Sequence, residues 1–554
     1  MALRTIGRLT LAAIGLLCVS ATATAAGGSA PHANRDLPAL TLPRHADALS
    51  RAVSTGQMSD AHAALLRAQA LFQPAAVERR VGGTVAEPGP HDATMILRDL
   101  ALRLRDLSGA DRQKGEALVA RPATDPAGTP GKWSTAEPLA SPSCGTNVCV
   151  HWTTGGGDQP AVTDSDANNV PDWVDTTRDE LENTVWATEV TTMGYRPPMD
   201  DLGSGDNGGN EKLDVYISNL GADSIYGYCT SDDPLLSDPT YKFWNFSAYC
   251  VVDNNYSEPI FHQLLPEENL KVTLAHEFFH AVQFAYDISE DAWLMEGTAT
   301  WMEEQLYDAI NDNRQYLVDG QGRQPSIPLD RGSGCCSQYA AWIWWEYLTQ
   351  RLADTTYIRD VWERVNGSST GPDQYSLQGA RTALGARGFD IREWYGDFAV
   401  WNRIPSVTYT EGAAYPAPSA SISHTLGPGK KATGWVQAKL NHLTSFYAAL
   451  KPGPSASTKG HVTVRVDAPP VGWGSQARAI VFLKTGDVRV KPFALSSTGD
   501  GQLRLGFGRG VVTRVVVIMS NASQRYKCWQ STSVSCQGTP LDNNRPYAFR
   551  ANLS

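Results

Sequence analysis

Residues 276–280 read His-Glu-Phe-Phe-His, inside a stretch from Pro266 to Ala285 that holds no glycine and no second proline. Such a stretch reads as one helix. Pro266 sits in its first turn, and Glu267 and Glu268 lie near the positive end of the helix dipole. On a helix, imidazoles four residues apart leave the same face and converge on one point. Two convergent imidazoles are half of a zinc site, and Glu277 beside them is placed to take a proton from a water on the metal. Leu270, Leu274, Phe278 and Val282 read as the buried stripe, with Thr273, His276, Glu277 and His280 facing elsewhere. With 11 histidines in 554 residues, a chance match is expected in roughly one of a hundred such chains, so the surroundings must carry the reading.

The surroundings do so at Trp293-Leu-Met-Glu296-Gly-Thr-Ala, which runs on to Glu303 and Glu304. A carboxylate from a following helix completes three protein ligands and leaves a fourth position open, as catalytic zinc requires. At these residues the chain resembles the gluzincin metallopeptidases, whose third zinc ligand is a Glu on the helix after the HExxH helix. The segment is most similar to the aminopeptidase type, which carries Trp-Leu-Asn-Glu-Gly-x-Ala; Met295 replaces the Asn here. The resemblance implies that Glu296 is the third ligand. Glu303, seven residues on, returns to the same helix face. It reads either as a partner that orients a zinc-bound imidazole or as a solvated acid. Tyr339, ahead of Trp342, Trp344, Trp345 and Tyr347, resembles the Tyr with which such enzymes stabilise an oxyanion, after a shorter gap from Glu296. The other aromatics have the spacing of core packing, and His262 is a second candidate proton donor.

The Gly-x-Met-x-Asn strand that holds a free amine in aminopeptidases is absent. Uncharacterised secreted bacterial metalloproteases share the remaining layout. The resemblance therefore implies a secreted zinc-dependent metalloendopeptidase acting on protein or peptide, with Glu277 as general base. Three alternatives stand beside it: an aminopeptidase on the same site, hydrolysis of a non-peptide bond, and a non-enzymatic secreted binding protein with a relict zinc site.

Residues 1–26 read as a secretory signal. Arg4 and Arg8 precede the apolar run from Leu9 to Val19, and small-residue cleavage sites follow at Ala21-Thr-Ala23 and Ala23-Thr-Ala25. Cys18 is discarded with the signal, which leaves eight of nine cysteines, an even number suited to an oxidising compartment. Their clustering suggests Cys144–Cys149, Cys229–Cys250 and Cys528–Cys536, with adjacent Cys335 and Cys336 left to pair with each other or elsewhere. A net charge of −11 without a basic block argues against nucleic acid or an anionic membrane as partner. No later apolar run is long enough to span a bilayer.

The expected class is α+β. Residues 27–142 form a helical propeptide or accessory region, with helices over 46–72 and 93–107 and a linker from Arg121 to Pro142. Residues 143–404 form a zincin-like domain, a small sheet plus a helical half, with strands over 148–152 and 212–218 and a helix over 173–193. Residues 405–554 form an antiparallel β-sandwich, with strands over 461–466, 479–483, 502–507, 511–519 and 547–553. Ahead of the helix that starts near Trp173, Asp164, Asp166, Asn168, Val170, Asp172 and Asp175 stand at positions one, three, five, seven, nine and twelve of a loop. Oxygen ligands in that pattern, with Val170 offering its carbonyl, suit Ca2+, and Asn169 tolerates the left-handed turn at position six. The loop resembles the calcium loops of dockerin and thrombospondin repeats, with a shorter Asp in place of the last Glu. The plainer reading is an acidic turn capping a helix.

Overall fold

The computed structural model describes residues 37, 38, 40, 47–86, 88–123, 128–204, 207–332 and 336–554. The expected signal at 1–26 and Cys335 lie outside them.

Among the described residues, the N-terminal region holds five α-helices: α1 (Ala48–Ser54), α2 (Asp60–Phe72), α3 (Pro74–Val81), α4 (Ala93–Ala101) and α5 (Gly109–Val119). Asp47 caps α1 and Ser59 caps α2 by accepting from backbone N–H groups. The single run expected over 46–72 is two helices, because Gly56 turns the chain at φ +70°. The run expected over 93–107 stops at Ala101 and ends in a 3-10 turn, Leu104–Asp106. Every residue of α4 is buried, Arg98 and Asp99 included.

A five-stranded sheet follows: β1 (Ser143–Cys144), β2 (Val148–His151), β3 (Leu213–Ser218), β4 (Gly227–Thr230) and β5 (Tyr249–Asp253), in the order β1-β2-β3-β5-β4. The three central strands are parallel, and the outer strands β1 and β4 are antiparallel to their neighbours. Cys144–Cys149 ties β1 to β2, and Cys229–Cys250 ties β4 to β5. Between β2 and β3, α6 (Asp172–Glu180) passes directly into a π-helical segment, Leu181–Thr192.

Helix α7 (Pro266–Asp287) packs on β4 and β5, and α8 (Ala292–Tyr307) packs on α7. Pro266 begins α7, and the Glu268 carboxylate accepts from Leu265 N. The expected stripe does not describe α7: from Leu270 to Asp287 only Lys271 escapes full burial. The sheet covers one side and α8 and α11 cover others, so polar residues there need partners inside the protein. The helical half continues with α9 (Ser337–Ala340), α10 (Trp342–Leu352), α11 (Thr356–Val365), α12 (Leu377–Ala386), α13 (Ile391–Arg403) and α14 (Pro405–Thr408).

The C-terminal region carries β6 (Ile422–Leu426), β7 (Val436–Leu440), β8 (Thr444–Pro452), β9 (His461–Asp467), β10 (Ser475–Leu483), β11 (Val488–Pro492), β12 (Gly501–Gly506), β13 (Val512–Asn521), β14 (Tyr526–Lys527), β15 (Thr539–Pro540) and β16 (Arg545–Leu553). Two main sheets, β11-β10-β13-β8-β6 and β12-β9-β16-β7, share one apolar core that includes Leu450, Val464, Val515 and Phe549. β6 departs from the antiparallel expectation and runs parallel to β8. The far face of the first sheet packs Tyr447, Ile480, Val516 and Ile518 against Ala399, Val400 and Ile404. Burial on both faces explains the unbroken apolar run from Val515 to Met519.

Contacts at both ends of the chain join the regions. Leu65, Leu97 and Leu100 share a core with Val215, Tyr228 and Phe278. The stretch read as a linker carries fully buried Arg121, whose guanidinium meets Asp201 at 2.5 Å, Asp232 at 3.0 Å and also Asp214. Trp133 Nε1 donates to Ser218 Oγ at 2.8 Å. At the other end of the chain, Cys528–Cys536 closes a loop that reaches back to the start of α8, where Cys536 N donates to Asp291 Oδ2 at 3.0 Å. Cys336 is also disulfide-bonded.

Candidate metal centre

One helix positions both imidazoles: the rings of His276 and His280 lie 4.8 Å apart on α7. The third group comes from α8, where Glu296 Oε2 lies 3.1 Å from His276 Nε2 and 3.5 Å from His280 Nε2. One ligand atom from each of the three residues lies within 4.8 Å of the others, and all three residues are buried. The residues around Glu296 serve its placement. Trp293 stacks on Trp345 at 5.3 Å, and its Nε1 donates to Ser376 Oγ. Gly297 leaves room for that helix contact, since a Cβ there would stand 2.9 Å from Trp345 Nε1.

The outer nitrogens of both imidazoles are engaged. His276 Nδ1 meets Glu303 Oε1 at 2.7 Å, and His280 Nδ1 meets Gln283 Oε1 at 2.7 Å. The Gln283 amide donates to Met295 O and Thr298 Oγ1, so its oxygen faces the ring and accepts from Nδ1–H. Both Nε2 atoms are thereby left to face the centre. His280 Nε2 and Glu296 Oε1 are buried without a hydrogen-bond partner. Orphaned acceptors directed at one point fit a cation, and two imidazoles with one carboxylate are a donor set for zinc.

Burial would raise Glu296, but His280 and His276 outweigh it and hold the carboxyl down to about 2. Burial raises Glu277 above the ordinary carboxyl range, against the pull of the same two imidazoles. Burial also lifts Glu303 to about 7. Replacing Glu303 by Gln should weaken zinc binding by about 10- to 100-fold while the fold persists, read by competition with a calibrated chelator. Unchanged affinity would make Glu303 a bystander.

Residues far from this segment in sequence also reach the centre. Glu277 Oε2 accepts from Thr94 Oγ1 at 2.8 Å. Tyr339, in the short turn α9, lies with its ring 6.2 Å from that of His276, and its Oη donates to Asp92 Oδ1 at 3.0 Å. His91 stacks on Tyr226 at 4.3 Å. Burial, and then the His276 imidazole, push His91 down to about 3. His91, Asp92 and Thr94 carry no sequence signal for this location. Gln283 had one, as the third residue beyond His280 on the ligand-bearing helix. His262 lies on an exposed turn with its imidazole on Ser257 O.

The acidic loop folds around one side-chain amide: Asn168 Nδ2 donates to Asp166 Oδ2 at 3.1 Å and to Asp175 Oδ2 at 2.8 Å. Asp164 accepts from the N–H groups of Asn168 and Asn169, and Asn169 has φ +68°. Asp172 accepts from Ser165 N and Oγ. Val170 N donates to Asn168 Oδ1 at 2.6 Å.

No family model and no curated protein matches the chain. Among solved structures it is similar to a family GH115 4-O-methyl-α-glucuronidase with specificity for decorated arabinogalactans, at 8% identity and a TM-score of 0.14. That match covers 52% of this chain and 38% of the other, so the chain spans well under half that protein's length. At this score the likeness carries no argument about fold or chemistry. The spacing His276-Glu277-x-x-His280 matches the HExxH zincin motif, with Glu296 as a third ligand nearby in space. Among the described residues, no helix is long and apolar enough to cross a membrane.

Proposed function

We propose that the chain is a secreted zinc-dependent metalloendopeptidase, with residues 27–142 as a helical propeptide or accessory region, 143–404 as the zincin-like catalytic domain and 405–554 as a β-sandwich. The observation that carries the reading is the convergence of His276 Nε2, His280 Nε2 and Glu296 beside Glu277. These three residues would hold the ion, with Glu303 and Gln283 fixing the rings. Zinc, when bound, polarises water and the scissile carbonyl and lowers the pKa of that water towards neutrality. Glu277 takes the proton of the attacking water and delivers it to the leaving amine; its burial favours a base that also holds a proton well. The Tyr339 hydroxyl, on the same side as His276, donates to the oxyanion as the carbonyl becomes tetrahedral.

The test uses protein lacking residues 1–26, intact and after limited proteolysis. One zinc per chain, with casein cleaved by at least one form, is expected. Absence of zinc, or zinc with casein untouched by both forms, removes the reading. Faster cleavage of a free-amine peptide than of its blocked form would favour the aminopeptidase instead.

The acidic loop is proposed to take Ca2+, supported by its inward Asp carboxylates and the left-handed Asn169. Calcium at 100 times its dissociation constant should stabilise the chain by about 2.7 kcal/mol. Thermal unfolding with calcium and with a calcium-selective chelator reads this; equal midpoints reject the site.

A further inference from the structure

Strand β4 is the edge of its sheet, and its outer side is not free. An open edge of this kind offers backbone groups to an extended peptide. Here the groups are taken by the chain entering α4. Tyr226 N, just ahead of β4, donates to Pro90 O at 3.1 Å. Cys229 N, within β4, donates to Thr94 Oγ1 at 2.9 Å.

Residues 89–94 also engage both groups assigned to proton transfer. The Thr94 hydroxyl donates to Glu277 Oε2 at 2.8 Å. Asp92 Oδ1 accepts from Tyr339 Oη at 3.0 Å and from Gln338 Nε2 at 3.3 Å, while Gly89 N holds its other oxygen at 2.7 Å. Between them His91 lies over the centre, its ring 6.2 Å from that of His276 and 5.8 Å from that of Tyr339. One turn further on, Arg98 donates to Glu290 O at 2.8 Å, at the loop that leads into α8.

A tyrosine has one hydroxyl proton. Spent on Asp92, it is not available to an oxyanion. The Glu277 oxygen that accepts from Thr94 is likewise shared with a group that is neither water nor substrate. Release of residues 89–94 would return the Tyr339 proton to an oxyanion and one acceptor site of Glu277 to the water.

We propose that residues 89–94 are a tethered blocking segment, which lies along the outer edge of β4 in the place of a peptide substrate and keeps the metal centre latent. The proposal rests on the peptidase reading only for the identity of what is displaced. Displacement of this segment, with α4 behind it, is then the activating step.

The test reads occupancy rather than turnover, on the zinc-loaded chain 27–554. The probe is an N-blocked dipeptide hydroxamate. In wild-type protein, saturating probe should strip hydrogen-exchange protection from the amides of α4 and from residues 226–230. Asp92→Ala with Thr94→Ala, which removes both acceptor and donor, should bind the probe at least about ten-fold tighter and lose zinc to 1,10-phenanthroline at least about ten-fold faster, as expected when an open state below roughly a tenth of the population becomes the major one. Probe bound to wild type with α4 still protected overturns the proposal, and this arm needs no variant to fold. Equal affinity and equal chelation rates in a folded double variant overturn it as well. Peptide hydrolysis enters neither arm, so an inert protein with the expected exchange behaviour would refute the peptidase and leave the blocking segment standing.

Discussion

Glu277→Gln should keep its zinc and lose turnover by about 100- to 10,000-fold, the range for removing a positioned general base. Glu277 is not among the three groups that converge on the metal position, so the ligand set survives. Gln is nearly the same shape, and its amide oxygen still accepts from the Thr94 hydroxyl. What disappears is the ability to take a proton. Zinc content and kcat on an N-blocked peptide, measured after the N-terminal region has been disengaged, separate the two effects. Turnover near that of the wild type would end the base assignment. Loss of zinc together with turnover would show instead that the carboxylate serves the ion.

The second large effect lies on the other side of the sheet. Arg121→Met should destabilise the protein by about 3–5 kcal/mol, the cost of breaking a buried charge network by removing one partner. The guanidinium is fully buried, and Asp201, Asp214 and Asp232 all contact it. His151 Nε2 also meets Asp214 at 2.7 Å. Burial lifts Asp201 to about 6 even with Arg121 beside it. A carboxyl raised in the folded state adds stability that is present below its unfolded pKa and lost as pH rises through the folded value. Arg121 is what pulls Asp201 down against that burial, so without the cation Asp201 is pushed further the same way. The variant's deficit should therefore be smaller at pH 5 than at pH 8, read by urea unfolding at both. A deficit under about 1 kcal/mol at pH 8 would place this network among weakly coupled surface pairs.

What could be read in the sequence is what neighbouring residues decide among themselves. Pro266, Glu268 and the four-residue spacing of His276 and His280 are local, and the helix and its ligand face follow from them. The disulfides Cys144–Cys149, Cys229–Cys250 and Cys528–Cys536 close short loops, which is why clustering pointed to them. Decisions made across the chain left no such mark. Full burial of α7 depends on α8, α11 and the sheet together, so no stripe in its own sequence declares it. β7 and β12 alternate and β12 was legible, yet β7 was not, because its pairing with β16 is supplied from the far end of the chain. Asp92 and Thr94 look like ordinary helix-start residues, and only the approach of α4 to β4 brings them to Tyr339 and Glu277. The sequence alone leaves Glu303 between an imidazole orienter and a surface acid; its 2.7 Å contact with His276 Nδ1 lies inside the protein.

The loop closed by Cys528–Cys536 has a consequence in time as well as space. Asp291 stands at the start of the helix that carries Glu296, and its partner Cys536 N comes 245 residues later. Asp330 likewise waits for the N–H of Ser535 and the hydroxyl of Tyr526. A chain made at about 5–20 residues per second reaches Cys536 roughly 12 to 50 s after Asp291. During that interval the third ligand's helix exists without its last support, whereas His91, Asp92 and Thr94 were made long before either histidine of α7. The order of synthesis thus puts the cover in place first and the final brace of the metal centre last.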